Sequence, residues 1–374
     1  MATSRTPTNE VPLWAILCIL AVGGILGLFE PGRLSYAFGA ATLFVFLPPL
    51  LFEAAWNLDA RLMLTRWRPI FALAVPGVAI TTAIVAAAVW FGGFPLPAAL
   101  ILGAIVSATD PIAVVAIFRR LPVPVALSTI VQSEALLNDA TAVVLYRSLV
   151  LAAAGALSVG SVVGLAALAV ASAAGGILIG VSLAVAIAHV LVRRNLAVIQ
   201  IWATLAGVYV AYFTAEALHA SGIFAVIAFG IALREAERRA ISVQAAEDVG
   251  RFWDGCALFA NICVFFLTGA AIQITRLAHE PYAAAAALAG VLAARLVLAY
   301  ILSPVALGSG ANRSWLHVIG AAGARGALSL ALALALPVTL AFRAQIIDVT
   351  FVIVLATLFS SAFIVPRAIR RRMA

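Results

Sequence analysis

SATDPIAVVAIFRRLPVPVALSTIVQSEALLNDATAVVLYR, residues 107–147, sets three acids, Asp110, Glu134 and Asp139, into runs otherwise built of Ala, Val, Ile and Leu. An ionised carboxylate in hydrocarbon costs at least about 2.5 kcal/mol on insertion scales, so such groups are normally paired, hydrated by a cavity or employed in moving ions. One could be an accident; three this close together mark a site.

Outward from this stretch the chain stays apolar. Of its 374 residues 65% are hydrophobic and 10% charged, against roughly 25% charged in soluble proteins. Runs of about eighteen or more apolar residues, each long enough to span a bilayer, recur along its length. The fold class is therefore an all-α polytopic membrane protein. A net charge of +8 would suit a nucleic-acid partner, but all 23 basic residues are arginine and most fall in short loops between apolar runs. That is a topological signal, and the partner it indicates is the lipid bilayer, with no nucleic acid. Cys18, Cys256 and Cys263 read as apolar filler, and His189, His219, His279 and His317 form no metal-ligand spacing, so no cofactor is expected. The first apolar run, from near Pro12, is too long for a signal-peptide core and is read as a retained helix.

Twelve spans are expected, at 12–29, 38–56, 69–92, 97–117, 125–153, 159–192, 195–217, 219–233, 252–273, 282–307, 315–337 and 345–367. The sixth would be ~51 Å long at helical rise, which predicts an interfacial start or a bend near Gly175-Gly176. With the N-terminus inside, 17 arginines lie in cytoplasmic loops and tails and three outside (Arg33, Arg276, Arg343). This asymmetry predicts a multi-pass protein of a bacterial-type inner (plasma) membrane with both termini cytoplasmic. Residues 1–374 read as one transmembrane transport domain with no soluble regulatory domain.

Spans three to five and ten to twelve, residues 69–153 and 282–367, then run in opposite directions as inverted repeats. Their middle members are both interrupted, one by Thr109-Asp110-Pro111, the other by Gly320, Gly323 and Gly326 around Arg325. Matching discontinuous helices in inverted halves point to a midplane transport site. Pro111 lacks a backbone N–H and frees carbonyls in the preceding turn. A plain kink would explain the proline and not the acid beside it.

Asp139, in mid-span after Asn138, can hold a small cation or a proton. Burial favours the protonated acid and a bound cation favours the carboxylate, so the two compete for one group. Glu134 lies about 140° away around the helix. It needs a cationic partner, for which Arg295 is the first candidate and Arg325 the second; an arginine stays charged in protein and can grip a carboxylate bidentately. Glu53 in FLPPLLFEAAW either reaches a cation path or sits at the cytoplasmic interface, while Asp254 and Asp348 are expected to be interfacial.

FLPPLLFEAAW (46–56), SATDPIAVVAIF (107–118), SEALLNDATAVVLY (133–146), SGIFAVIAFGIAL (221–233), FWDGCALFANICVFFLTGA (252–270), ARLVLAY (294–300) and GARGALSLALALALP (323–337) together resemble the monovalent cation:proton antiporter family, that of the sodium/proton exchangers and their NhaP-like bacterial relatives. The resemblance implies two crossing discontinuous helices, a homodimer, and exchange of Na+ (or Li+ or K+) for H+. Asp139 is implied as the ion- and proton-binding acid, with Asp110 and Thr109 lining the same site. Asn138 is implied as the mark of electroneutral exchangers, and Glu53 as a further ligand acid. Glu134 and Arg295 are implied as a structural ion pair, and Arg325 as the charge of the second broken helix. Ala135 stands where the family has a serine; water, Ser133 or Thr141 would have to replace that oxygen. Against that resemblance, the chain is expected to lack the extra first helix and the regulatory tail of many members.

A cation channel would set its acids in rings from several subunits or repeated pore loops, whereas these cluster at one helix crossing. An intramembrane aspartyl protease would explain two aspartates. It would leave Asn138, Arg295 and Arg325 without a purpose, and the chain has no Gly-x-Gly-Asp sequence. A transporter, not an enzyme, is the reading.

Overall fold

The computed structural model describes residues 13–29, 44–110, 123–155, 162–191, 196–238, 243–271, 281–308 and 312–373, together with Val114, Phe118 and Leu121. Among them every regular element is helical: α1 (Leu13–Phe29), α2 (Leu47–Asn57), α3 (Ala60–Thr65), α4 (Trp67–Ala74), α5 (Pro76–Phe91), α6 (Leu96–Ser107), α7 (Val125–Ala153), α8 (Val162–Leu191), α9 (Ala197–Ala217), α10 (Gly222–Glu237) and α11 (Val243–Ala271). α12 (Pro281–Val297) runs through a π-helical turn, Leu298–Leu302, into α13 (Ser303–Leu307), followed by α14 (Arg313–Ala321), α15 (Ala327–Leu334) and α16 (Arg343–Met373). Seven helices among the described residues are long and apolar enough to cross a membrane. Helices suit hydrocarbon because each satisfies its own backbone hydrogen bonds. α6 and the α14–α15 pair are shorter because each belongs to an interrupted span.

Packing sorts the helices into two groups. α1, α2, α8, α9, α10 and α11 pack on one another; so do α4 to α7 with α12 to α16. The groups meet chiefly where α7 touches α2, α8 and α10, and where α15 touches α11. Without a hydrophobic drive between helices in lipid, close backbone approach through small residues takes its place. The α8–α10 contact shows it: a Cβ on Gly176 would strike the Ser221 carbonyl, and one on Gly180 the Ala225 carbonyl. α8 runs as one helix through Gly175-Gly176, so the glycines expected to bend it serve this contact instead.

Two further expectations are corrected. α11 starts at Val243 rather than near residue 252, because Gln244 to Arg251 form an amphipathic turn whose Ala245, Ala246 and Val249 are buried. Asp254 is therefore inside the helix, half-buried, and accepts from Asn57 Nδ2 at 3.4 Å. Asp348 is not interfacial but fully buried. Arg343, at the start of α16, donates to the Leu334 and Leu336 carbonyls at 2.9 Å; it ties α16 to the end of α15, and the turn that follows lies inside. Pro111 and the arginines Arg119 and Arg120 lie outside the described residues.

Candidate cation site

The two interruptions meet. α6 stops at Ser107, the chain extends through Ala108, and the Asp110 N–H donates to the Ala324 carbonyl in the second break at 2.8 Å. Helix ends leave carbonyls and N–H groups without internal partners, and here each break supplies the other. The last carbonyls of α6 accept from the second break: Ile105 from Ser329 Oγ at 2.9 Å and Val106 from Arg325 Nε at 2.7 Å. Arg325, fully buried, also donates from Nη1 to the Gly323 carbonyl, while its backbone N–H reaches Thr357 Oγ1 at 3.0 Å. A cation thus stands at the C-terminus of α6. In return the Asp110 carboxyl lies against Gly326, at the N-terminus of α15, so closely that a Cβ there would overlap it. Both placements suit the helix dipoles.

α7 carries the remaining groups. Asn138 is a clasp: its Oδ1 accepts from the Thr109 N–H at 3.2 Å, and its Nδ2 donates to Thr109 Oγ1 at 2.7 Å and to Glu134 Oε1 at 3.1 Å. Glu134 Oε1 also accepts from Arg295 Nη1 at 3.2 Å, with both side chains buried. The contact uses one guanidinium nitrogen, where the sequence suggested a two-pronged grip; Arg295 Nε and Nη2 have no partner among the described residues. Arg325, the second candidate for Glu134, binds carbonyls instead. The chain Arg295–Glu134–Asn138–Thr109 therefore fixes the first break to α7.

Asp139 differs from its neighbours. Its Oδ1 is buried without a hydrogen-bond partner among the described residues, and it lines a cavity of about 70 Å³ with Asp110, Thr109, Glu53 and Asn261. That is room for several waters or a partly dehydrated ion. Glu53 accepts from Asn57 Nδ2, one turn on, at 2.7 Å and faces this cavity rather than only the interface. Asn138 does not line it. Neither do Ser133 and Thr141: Thr141 Oγ1 donates to the Leu137 carbonyl at 2.9 Å, and Ser133 Oγ is buried elsewhere without a partner among the described residues. The walls come from α2 and α11 in one helix group, and from α7, α15 and the first break in the other, so the cavity sits on the seam.

Two features escaped the sequence reading. Asn261 lies on the cavity wall, and its only signal was an amide inside the apolar run of α11. Arg147 of α7 donates from Nη1 to both oxygens of Glu216 on α9 at 2.7 Å, and from Nη2 to Tyr212 Oη at 3.3 Å. Glu216 Oε1 also accepts the Gly222 N–H at 3.0 Å, at the start of α10. No local spacing links residue 147 to residue 216.

A family model described as the transmembrane sodium/hydrogen exchanger matches residues 6–369. The low-affinity Na+/H+ antiporter NhaS1 of Synechocystis sp. (strain ATCC 27184 / PCC 6803 / Kazusa) is 34% identical over 326 residues, covering 84% of this chain and 61% of that one. The chain thus spans about three fifths of that relative's length. The Na+/H+ antiporter NhaH of Halobacillus dabanensis is 30% identical over 366 residues, 91% of this chain and 88% of its own. In fold, the chain is similar to the sodium proton antiporter MjNhaP1 of Methanocaldococcus jannaschii, with a TM-score of 0.79 at 20% identity over 96% of this chain and 92% of that one. With a family match that runs nearly from end to end, the chain belongs to the sodium/hydrogen exchanger family.

Proposed function

We propose that this protein exchanges a monovalent cation, Na+ first with Li+ or K+ as alternatives, for H+ across a membrane. Cation and proton take turns at Asp139. The observation that carries this reading is the bare, buried Oδ1 of Asp139 on a cavity shared with Asp110 and Glu53. A carboxylate there must be neutralised by a proton or by a cation. The names of the relatives point the same way. Asp110 and Thr109 complete the cation's surroundings with Glu53, while Asn138 fixes the geometry and cannot ionise. Because the cavity lies on the seam, a movement of one helix group against the other opens it to each side in turn. The orientation that goes with this reading places both termini in the cytoplasm of an inner-membrane protein whose halves, 69–153 and 282–367, are inverted repeats. The resemblance adds a homodimer.

The experiment is dequenching of a pH-sensitive dye in everted vesicles on adding Na+, Li+ or K+ across a pH series. The protein should give a cation-induced signal, and Asp139→Asn, inserted in equal amount, should give none. A normal signal from Asp139→Asn would exclude this mechanism.

A further inference from the structure

We propose that Asn261 sets the cation affinity of the exchange site by giving its amide oxygen to the ion, an inference that rests on the reading of the Asp139 cavity as the transport site. Asn261 is 9% exposed. It shares the cavity wall with Asp139, Asp110 and Glu53, and its amide has no hydrogen-bond partner among the described residues. An amide carries one carbonyl acceptor and two N–H donors. On the wall of a cavity these groups are completed by water or by an ion.

The chemistry of the cavity decides between them. A dehydrated monovalent cation needs several oxygens, and carboxylates alone would give it too much charge. Among the wall's hydroxyls, Thr109 Oγ1 already accepts from Asn138 and has one lone pair left for the ion, while Ser329 Oγ is held towards the Ile105 carbonyl, to which it donates; Thr141 and Ser133 are off the wall. Asn261 adds an amide carbonyl, a stronger dipole than a hydroxyl, with no partner among the described residues, and it comes from α11, in the helix group that does not carry Asp139. Its oxygen dipole favours a cation without adding charge and takes up no proton at working pH. It therefore acts on one of the two competitors only. Where cation and proton compete for Asp139, the apparent KM is the intrinsic cation constant multiplied by a factor set by pH. Loss of Asn261 raises the constant and leaves the factor alone.

The test measures apparent KM and maximum rate for Na+, Li+ and K+ over a pH series in vesicles carrying the wild type, Asn261→Leu, Asn261→Ala or Asn261→Asp, with Asp139→Asn beside them. Asn261→Leu and Asn261→Ala should raise KM for Na+ about tenfold, with any fall in maximum rate much smaller than the rise in KM. Their curves of log KM against pH should lie parallel to the wild-type curve. Asn261→Asp, which keeps an oxygen in place, should retain a low KM. Unchanged KM for all three cations in the Leu and Ala variants, with Asp139→Asn inactive, would overturn the role of Asn261 and leave the site intact. A lower maximum rate at unchanged KM, or failure of all three Asn261 variants to insert, would overturn it as well, by making Asn261 a packing residue. Exchange by Asp139→Asn would instead bring down the site reading beneath it.

Discussion

Asn138 and Asp139 are adjacent in sequence, yet the amide of one is engaged at both ends while Oδ1 of the other has no partner among the described residues. All of the polar capacity of Asn138 that the structure uses goes to Thr109 and Glu134, which leaves Asp139 the acid free to change state. The acids themselves were legible, because each is expensive in an apolar run. The clasp was not, since residues 109 and 138 meet only after two helices pack. Glu134 and Arg295, 1% and 6% exposed, support the clasp from behind. Removing either partner leaves a buried charge, which typically costs about 3–5 kcal/mol. Glu134→Ala and Arg295→Ala should therefore each lower thermal stability strongly, and a double-mutant cycle should show that the two effects overlap. Additive losses would mean that the pair is not coupled.

Each broken helix is stabilised by the other: Arg325 at the end of α6, Asp110 at the start of α15 and a backbone bond between the breaks. Pro and Gly in matching places made both interruptions legible, but not the bonds that join them. For the same reason the burial of Asp348 and the Arg147–Glu216 contact were hidden, since each depends on which helix lies alongside. Gly326→Ala should cut the exchange rate at least about tenfold with insertion intact, because the new Cβ would displace the Asp110 carboxyl and a small misplacement at a reacting centre can cost far more. Size-exclusion profiles and dye dequenching on the same vesicles check it. At the other end of the molecule's polarity, Asp59 caps α3 through the Arg61 and Leu62 N–H groups and pairs with Arg238 at 3.1 Å. Burial works to raise its pKa, but the Leu62 N–H, Arg238 and the Arg61 N–H together hold the carboxyl below its ordinary 3.8. A depressed carboxylate contributes its stabilisation above the unfolded value and loses it only as pH falls through the lower folded one. Asp59→Asn should thus lower the melting temperature by the same amount at mildly acidic and mildly alkaline pH. A loss confined to one side of neutrality would contradict this.

For the whole molecule the seam between helix groups matters most, because the cavity takes walls from both. Helix content and membrane character were plain from composition. The grouping was not, because the pattern of apolar residues does not say which neighbours a helix chooses. With Asn138 unable to ionise, Glu134 tied to Arg295 and no lysine in the chain, one proton should leave for each monovalent cation that enters. Exchange should then be electroneutral. In proteoliposomes clamped with valinomycin and potassium, an imposed voltage should leave Na+-driven proton flux unchanged apart from leak; flux that scales with voltage would mean that a second group, Glu53 first, also titrates. The competition itself is tested most directly by adding Na+ to the purified protein in weakly buffered detergent and measuring proton release. Release should approach one proton per chain at neutral to mildly acidic pH, with none from Asp139→Asn. Na+ binding without proton release, or release that persists in Asp139→Asn, would contradict it.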